Sequence, residues 1–180
     1  MKPSQEKIRN ASKKITVILK LAFIASIIIM ALVLVAIGIL MFSREDTKSS
    51  FLAAFEVTAK NGTTISIAPQ SLLTMFSFAL IDTLFVSTLI FIIHTIFDDI
   101  KNGATPFLRK NTARIQSIAI ITVLLSIVGS YSNALVDYYT IGALTWRVNA
   151  IGLIIGVIIY CISLIFNYGC DLQQESDETL

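Results

Sequence analysis

The feature that most limits how this chain can fold is a run of 22 residues without a charged side chain, from Leu21 to Phe42. A helix needs about 20 apolar residues to cross the hydrocarbon core of a bilayer. A cleaved signal peptide is the alternative, but its apolar region is only about 7–15 residues long and a small-residue cleavage site follows it. No such site follows Phe42. The run therefore predicts a first transmembrane helix.

Three further apolar runs follow, at Leu72–Phe97, Ile115–Val136 and Val148–Tyr168. Charged residues make up only 14% of the chain, against roughly 25% in soluble domains. In lipid, long and continuously apolar segments form helices, because a helix satisfies its own backbone hydrogen bonds. The sequence predicts an all-α membrane protein: one domain over residues 1–180, a four-transmembrane-helix bundle with helices at about 15–42, 71–98, 106–136 and 147–169.

Lysine and arginine are unevenly distributed between the two sides of this arrangement. Ten lie in the N-terminal segment and in the loop between the second and third helices: Lys2, Lys7, Arg9, Lys13, Lys14, Lys20, Lys101, Arg109, Lys110 and Arg114. Four lie in the other two loops: Arg44, Lys48, Lys60 and Arg147. Basic residues concentrate on the cytoplasmic side. We therefore expect a multi-pass protein with both termini in the cytoplasm, including an acidic tail at residues 170–180.

The longest loop contains Asn61-Gly62 between two segments that favour β-structure. This dipeptide is a strong hairpin signal, because a type I′ turn needs positive φ at both central residues. The sequence predicts a small extracellular β-hairpin at about 54–68, between helices one and two. It would act either as a cap that contacts a ligand or as a plain connector.

Within the predicted spans, Asp82 is the residue whose placement in the bilayer costs the most free energy. It lies about ten residues into the second helix, near the middle of the bilayer, where a charge costs at least about 2.5 kcal/mol. Ser126 and Ser130 of the third helix are candidate hydrogen-bond partners. Asp82 is interpreted either as a proton or ligand site or as a neutral carboxyl that fixes helix packing.

Two residue pairs are further candidates. His94 lies one turn before Asp98, so the two share a helix face; they form either a titrating pair or a structural hydrogen bond. Gly152 and Gly156 have the spacing that lets two helices approach closely, within one chain or in a homo-oligomer. No metal-ligand spacing, cofactor motif or nucleophile–base arrangement is present, which argues against an enzyme.

The predicted inner loop contains residues that end one helix and begin the next. Gly103 suits the left-handed conformation that ends a helix. Thr105 and Pro106 suit the cap and first turn of the next helix.

Two segments on the predicted inner side form motifs. The inner-loop motif consists of Gly103, Pro106, Phe107, Asn111 and Arg114. The C-terminal motif contains Gly169, Leu172, Gln173, Glu175 and Asp177. These two motifs resemble those of the YoaS-like family of small bacterial membrane proteins, which is defined by a domain of unknown function.

The resemblance implies a four-helix protein of the bacterial cytoplasmic membrane that acts with a small helix-turn-helix transcription regulator. The first hypothesis is therefore a regulatory or sensory membrane protein whose inner face binds that regulator, without direct contact to nucleic acid. The second is a small transporter or resistance or immunity factor with a polar pocket around Asp82. The third is a packing subunit of a larger membrane complex.

Overall fold

The computed structural model of the chain describes residues 3–55, 57–58, 64–65, 68–103 and 108–178. Within these ranges the chain forms five helices and two short strands. In chain order they are α1 (Pro3–Phe42), α2 (Glu45–Ala53), β1 (Val57–Thr58), β2 (Thr64–Ile65), α3 (Pro69–Lys101), α4 (Arg109–Ile141) and α5 (Ala150–Glu178).

Among the described residues, four helices are long and apolar enough to cross a membrane. They are α1, α3, α4 and α5, at the places where the four apolar runs predicted them. The chain is thus a multi-pass, helical membrane protein. α1 begins at Pro3 and α5 continues to Glu178, well beyond the predicted bounds of 15 and 169. Hydropathy marks only the apolar part of a helix, whereas Lys, Arg, Glu and Gln also favour helix.

The segment between α1 and α3 contains a short helix that the sequence analysis did not predict. α2 carries Glu45 and Asp46 in its first turn, where acidic side chains complement the helix dipole. Phe51 and Phe55 reach the ring of Phe76 on α3, with ring centroids 6.3 Å and 5.8 Å from it. These aromatic contacts attach α2 to α3.

β1 and β2 pair in antiparallel fashion through Val57–Ile65 and Thr58–Thr64. This ladder of two residue pairs is all that the structure describes of the hairpin expected at 54–68. The turn at Asn61-Gly62 lies outside the described residues, so the complete hairpin stays a prediction.

Two helix ends carry a glycine in the left-handed region. Gly103 has φ +94° directly after α3, and its N–H donates to the carbonyl of Ile100 at 3.1 Å. This confirms the predicted helix stop. Gly142 has φ +70° after α4, a stop that was not anticipated. The predicted cap at Thr105 and the residues Pro106 and Phe107 lie outside the described residues.

The chain divides into two compact units. The first comprises residues 1–27, 85–126 and 150–180, and the second comprises 28–84 and 127–149. The prediction of a single domain is not decided by this division. In the first unit, Ser26 of α1 and Ser87 of α3 share a buried hydrogen bond of 2.9 Å. In the second, Asp137 of α4 contacts Thr145 and forms an ion pair of 3.4 Å with Arg147.

The distribution of buried and exposed side chains is the opposite of that in a soluble protein. The described buried side chains are mostly small and polar: Ser12, Thr16, Ser26, Ser71, Ser87, Asn111, Thr112, Ser126, Ser130 and Ser163. The buried apolar ones are Leu72, Ala119, Ala134 and Cys170, while large apolar side chains of all four long helices are exposed. Small residues at the contacts and large apolar residues outside are typical of helices packed in lipid.

Candidate functional site

A group of charged side chains joins the end of α3 to the start of α4 in the first unit. The Asp99 carboxylate accepts from Arg114 at 2.5 Å and forms an ion pair with Lys110 at 3.0 Å. Lys110 and Arg114 are one turn apart on α4, so both reach the same carboxylate. Arg114 also donates to the side-chain oxygen of Asn111 at 3.0 Å. The side chains of Asp99 and Arg114 are 25% and 29% exposed, so water screens this pair only partly.

The start of α4 also contacts the end of α5. Arg109 forms an ion pair of 2.9 Å with Asp171. One turn along α4, the hydroxyl of Thr112 lies 3.6 Å from the thiol of Cys170. We call Asp99, Arg109, Lys110, Arg114 and Asp171 the ion-pair cluster. Through these contacts the start of α4, which carries Asn111 and Arg114 of the inner-loop motif, packs against the end of α5, which carries the C-terminal motif.

The two motifs contribute unequally to these contacts. Asn111 is 1% exposed and Arg114 binds Asp99, so both have structural partners. Gly169 is half-buried, whereas Leu172, Gln173 and Glu175 are exposed on the last turns of α5. The side chain of Asp177 lies outside the described residues. Cys170 and Asp171, which make the contacts to α4, stand between the motif positions, so the motif did not indicate their roles.

Asp98, beside the ion-pair cluster, has its own partners. Its two carboxylate oxygens accept from Lys101 at 3.2 Å and from Asn102 at 3.3 Å. The Lys101 carbonyl accepts a hydrogen bond of 3.1 Å from Arg9 of α1. Among the described residues, no hydrogen bond joins Asp98 to His94.

His94 and Asp98 do share a groove between α1 and α3. Its volume is about 500 Å³. It is lined by Thr16, Val17, Lys20, Phe23, Phe91, His94, Asp98 and Lys101. His94 and Asp98 therefore line the same groove, as their spacing on one helix face suggested. The sequence did not indicate that lysine and aromatic side chains would line it with them.

Asp82 occupies α3 in the second unit, away from any partner in the described part of the chain. Its Oδ1 atom is buried and makes no hydrogen bond there. The two hydroxyls proposed as partners have other contacts: Ser126 donates to the Thr122 carbonyl at 2.9 Å, and Ser130 accepts from the Asn149 N–H at 3.0 Å. An unpaired buried carboxylate oxygen is costly, so Asp82 remains a candidate site.

At Gly156, α5 packs closely against α4. A Cβ atom there would lie 2.5 Å from Cγ2 of Val123 and 3.2 Å from the Ala119 carbonyl oxygen. Only glycine allows this approach without a shift of neighbouring atoms. The Gly156 part of the predicted pair therefore serves packing within the chain.

Within the described ranges, no three His, Cys, Asp or Glu side chains are grouped as a metal site would require. The chain matches no protein-family model, no curated protein and no solved structure.

The ion-pair cluster holds α3, α4 and α5 together through two carboxylates and three cations. Beyond Asp171, every charged residue of α5 is acidic.

Proposed function

We propose that the chain is a regulatory protein of the bacterial cytoplasmic membrane, with both termini in the cytoplasm. Its inner face, made by the ion-pair cluster and the end of α5, would bind a small helix-turn-helix transcription regulator. The ten-to-four distribution of basic residues supports this orientation. The likeness of the two inner motifs to the YoaS-like family supports the choice of partner.

The observation that carries the proposal is the continuation of α5 as a helix to Glu178. Asp171, Glu175 and Glu178 are spaced by four and then three residues, so they follow one helix face. No Lys or Arg occurs after Arg147, and none stands in the last turn of α5. Acidic side chains at a helix C-terminus oppose its dipole. The helix dipole therefore does not favour these residues, although Glu178 accepts a hydrogen bond of 2.9 Å from Gln174 in the same helix. We attribute the acidic stripe to binding of a basic protein.

The contact between Arg109 and Asp171 strengthens this argument. It fixes the base of the acidic stripe to α4 through a 2.9 Å ion pair. The stripe is thereby presented at a defined position beside Lys110 and Arg114. A fixed surface loses less conformational entropy on binding than a free tail would.

The test begins with the genes that flank this one, among which we expect a reading frame for a small helix-turn-helix regulator. That regulator is expressed together with the tagged full chain and tested for co-purification, and the absence of such a neighbouring gene counts against the proposal. The test variant carries Glu175→Gln and Glu178→Gln. The matched control carries Glu45→Gln and Asp46→Asn on α2, which removes the same charge from the other predicted side of the membrane. We expect the regulator to co-purify with the native chain and the control, and to be lost from the test variant.

The matching readout in cells is a reporter driven by the regulator's own promoter. The test variant should change reporter expression, and the control should not. Equal recovery of the regulator with both variants, or an unchanged reporter when residues 172–180 are deleted, would rule the proposal out.

Asp82 favours a second candidate, a small transporter or resistance or immunity factor. Its buried and unpaired Oδ1 atom is what a site for a proton or a polar ligand would require. Asp82→Asn should abolish the transport or protection phenotype, whereas Asp46→Asn on exposed α2 should leave it intact. A phenotype that survives Asp82→Asn excludes this candidate.

The third candidate, a packing subunit, has less support. It relies on Gly152 and Gly156 as an interface with another protein, yet Gly156 lies against Val123 of the same chain. A homo-oligomer through this face stays a prediction that cross-linking in native membranes can check.

A further inference from the structure

The groove between α1 and α3 changes in polarity along its length. At one end, Phe23 and Phe91 face each other with ring centroids 6.0 Å apart. Phe23 belongs to the uncharged run of α1, and Phe91 lies seven residues before the first acidic residue at the end of α3. Towards the other end the lining includes Lys20, His94, Asp98 and Lys101. The groove therefore runs from hydrocarbon-like surroundings to the charged boundary of both helices.

The apolar end of the groove is open to the surroundings. Phe91 is 54% exposed. In a membrane such surfaces contact lipid chains. A chain lying along Phe23 and Phe91 would fill the space between the two helices at this level.

The charged end has a surplus of positive charge. The Asp98 carboxylate is engaged by Lys101 and Asn102. Lys20 is exposed and has no ion pair among the described residues. The imidazole of His94 carries an N–H in either tautomer and can donate to an oxygen. An anionic group with several oxygens matches these donors.

We propose that this groove binds an anionic phospholipid, with its phosphate beside Lys20, His94 and Lys101 and an acyl chain against Phe23 and Phe91. Basic pockets between membrane helices commonly hold anionic headgroups. A volume of about 500 Å³ accommodates a headgroup and the first part of a chain. Free phosphate would leave the aromatic end unfilled, and a choline headgroup would bring a second positive charge near Lys20. This site goes beyond the proposed regulatory function and does not depend on it.

The test is native mass spectrometry of the full chain in detergent micelles. Phosphatidylglycerol and phosphatidylcholine with the same chains are added separately, and glycerol 3-phosphate is added as a competitor to the chain with bound phosphatidylglycerol. We expect phosphatidylglycerol to bind at least about fivefold more tightly than phosphatidylcholine, the effect of roughly one lysine near an anionic headgroup. Glycerol 3-phosphate should not compete, because it lacks the acyl chain.

Variants locate the site. Lys20→Gln should weaken phosphatidylglycerol binding by about fivefold, and Lys20→Arg should preserve it. Lys13→Gln is the matched control, since Lys13 is an exposed lysine of α1 that does not line the groove. Phe91→Ala should weaken the binding of both lipids, and the preference for the anionic lipid should remain. Circular dichroism of each variant confirms that the helices are intact.

Three results would overturn the proposal. They are equal affinity for the two lipids, an equal loss in Lys20→Gln and Lys13→Gln, and competition by glycerol 3-phosphate as strong as that by the intact lipid.

Discussion

Asp99 is the residue on which the ion-pair cluster depends most. Its carboxylate forms ion pairs with both Arg114 and Lys110. The Asp99 side chain is 25% exposed, whereas that of its neighbour Asp98 is 40% exposed. Asp98 pairs with a lysine of its own helix, three residues away. Adjacent carboxylates thus have different tasks: Asp99 joins two helices, whereas Asp98 stabilises the last turn of one.

We expect Asp99→Ala to lower the free energy of unfolding by roughly 1.5–3 kcal/mol, because it leaves the partly buried Arg114 and the exposed Lys110 without their carboxylate. Asp98→Ala is the control and should cost only about 0.2–0.5 kcal/mol, as pairs within one helix do. Reversible unfolding in mixed micelles measures both. Equal losses for the two variants would show that Asp99 has no special role.

The sequence indicated that residues at the end of α3 and the start of α4 are important, but it did not predict the ion pairs between them. His94 and Asp98 were paired because their spacing places them on one helix face, and they do line one groove. Asp99 and Arg114 are separated by a loop, and no local periodicity links residues on two helices. Asn111 and Arg114 were singled out by resemblance, and physical reasoning alone gave no signal for their burial or their pairing. Asp82 was recognisable because a charge interrupts an apolar run.

The pairing of α4 and α5 depends on the absence of a side chain at Gly156. Val123 is branched at Cβ and has little rotamer freedom in a helix. A methyl group at Gly156 would therefore have to push the two helices apart.

Gly156→Ala should destabilise the protein by about 1–3 kcal/mol, the usual effect of overpacking. Gly129→Ala on α4 is the matched control, since nothing lies within 4 Å of a Cβ atom there. That change should be neutral or stabilising by up to about 1 kcal/mol, because alanine favours helix over glycine. Thermal unfolding in detergent compares the two.

A second change separates this explanation from a general loss of folding. Val123→Ala combined with Gly156→Ala removes the methyl group that a new Cβ would meet, so it should recover part of the lost stability. If the double variant is no more stable than Gly156→Ala alone, contact with Val123 is not the cause.

The helices themselves were predictable to the extent that hydrophobicity defines them. Four apolar runs gave four helices, and Gly103 gave one of the helix stops. The charged start of α1 and the acidic end of α5 were placed outside the helices, because hydropathy does not distinguish a polar helix from a loop. The sequence did not predict α2 for the same reason. Phe51 and Leu52 are its only large apolar residues, and they show no helical repeat.

The whole chain is expected to cross the membrane four times, and cysteine labelling can check this. In a variant without Cys161 and Cys170, Ser49→Cys on α2 and Ser176→Cys on α5 place single thiols at exposed positions. Three spans separate them. An impermeant maleimide added to intact cells should label position 49 and reach position 176 only after permeabilisation.

A separate control uses the chain with its native cysteines and without the engineered ones. Cys161 is exposed on the surface of α5, within its apolar part, so lipid and not water should cover it. It should stay unlabelled in membranes and react after denaturation. Labelling of both engineered positions from one side would contradict four spans, and the reverse pattern would contradict the proposed orientation.

The small polar side chains that fill the buried positions also affect how this protein should respond to temperature. The large heat-capacity change of unfolding in soluble domains comes from apolar surface that becomes hydrated. If the helices of this chain separate within the bilayer, Ser26, Ser87 and Ser163 meet lipid, and little new apolar surface meets water. The enthalpy of separation should then vary little with temperature. Stability should decline steadily on heating, without the maximum and the weakening in the cold that water-soluble proteins show.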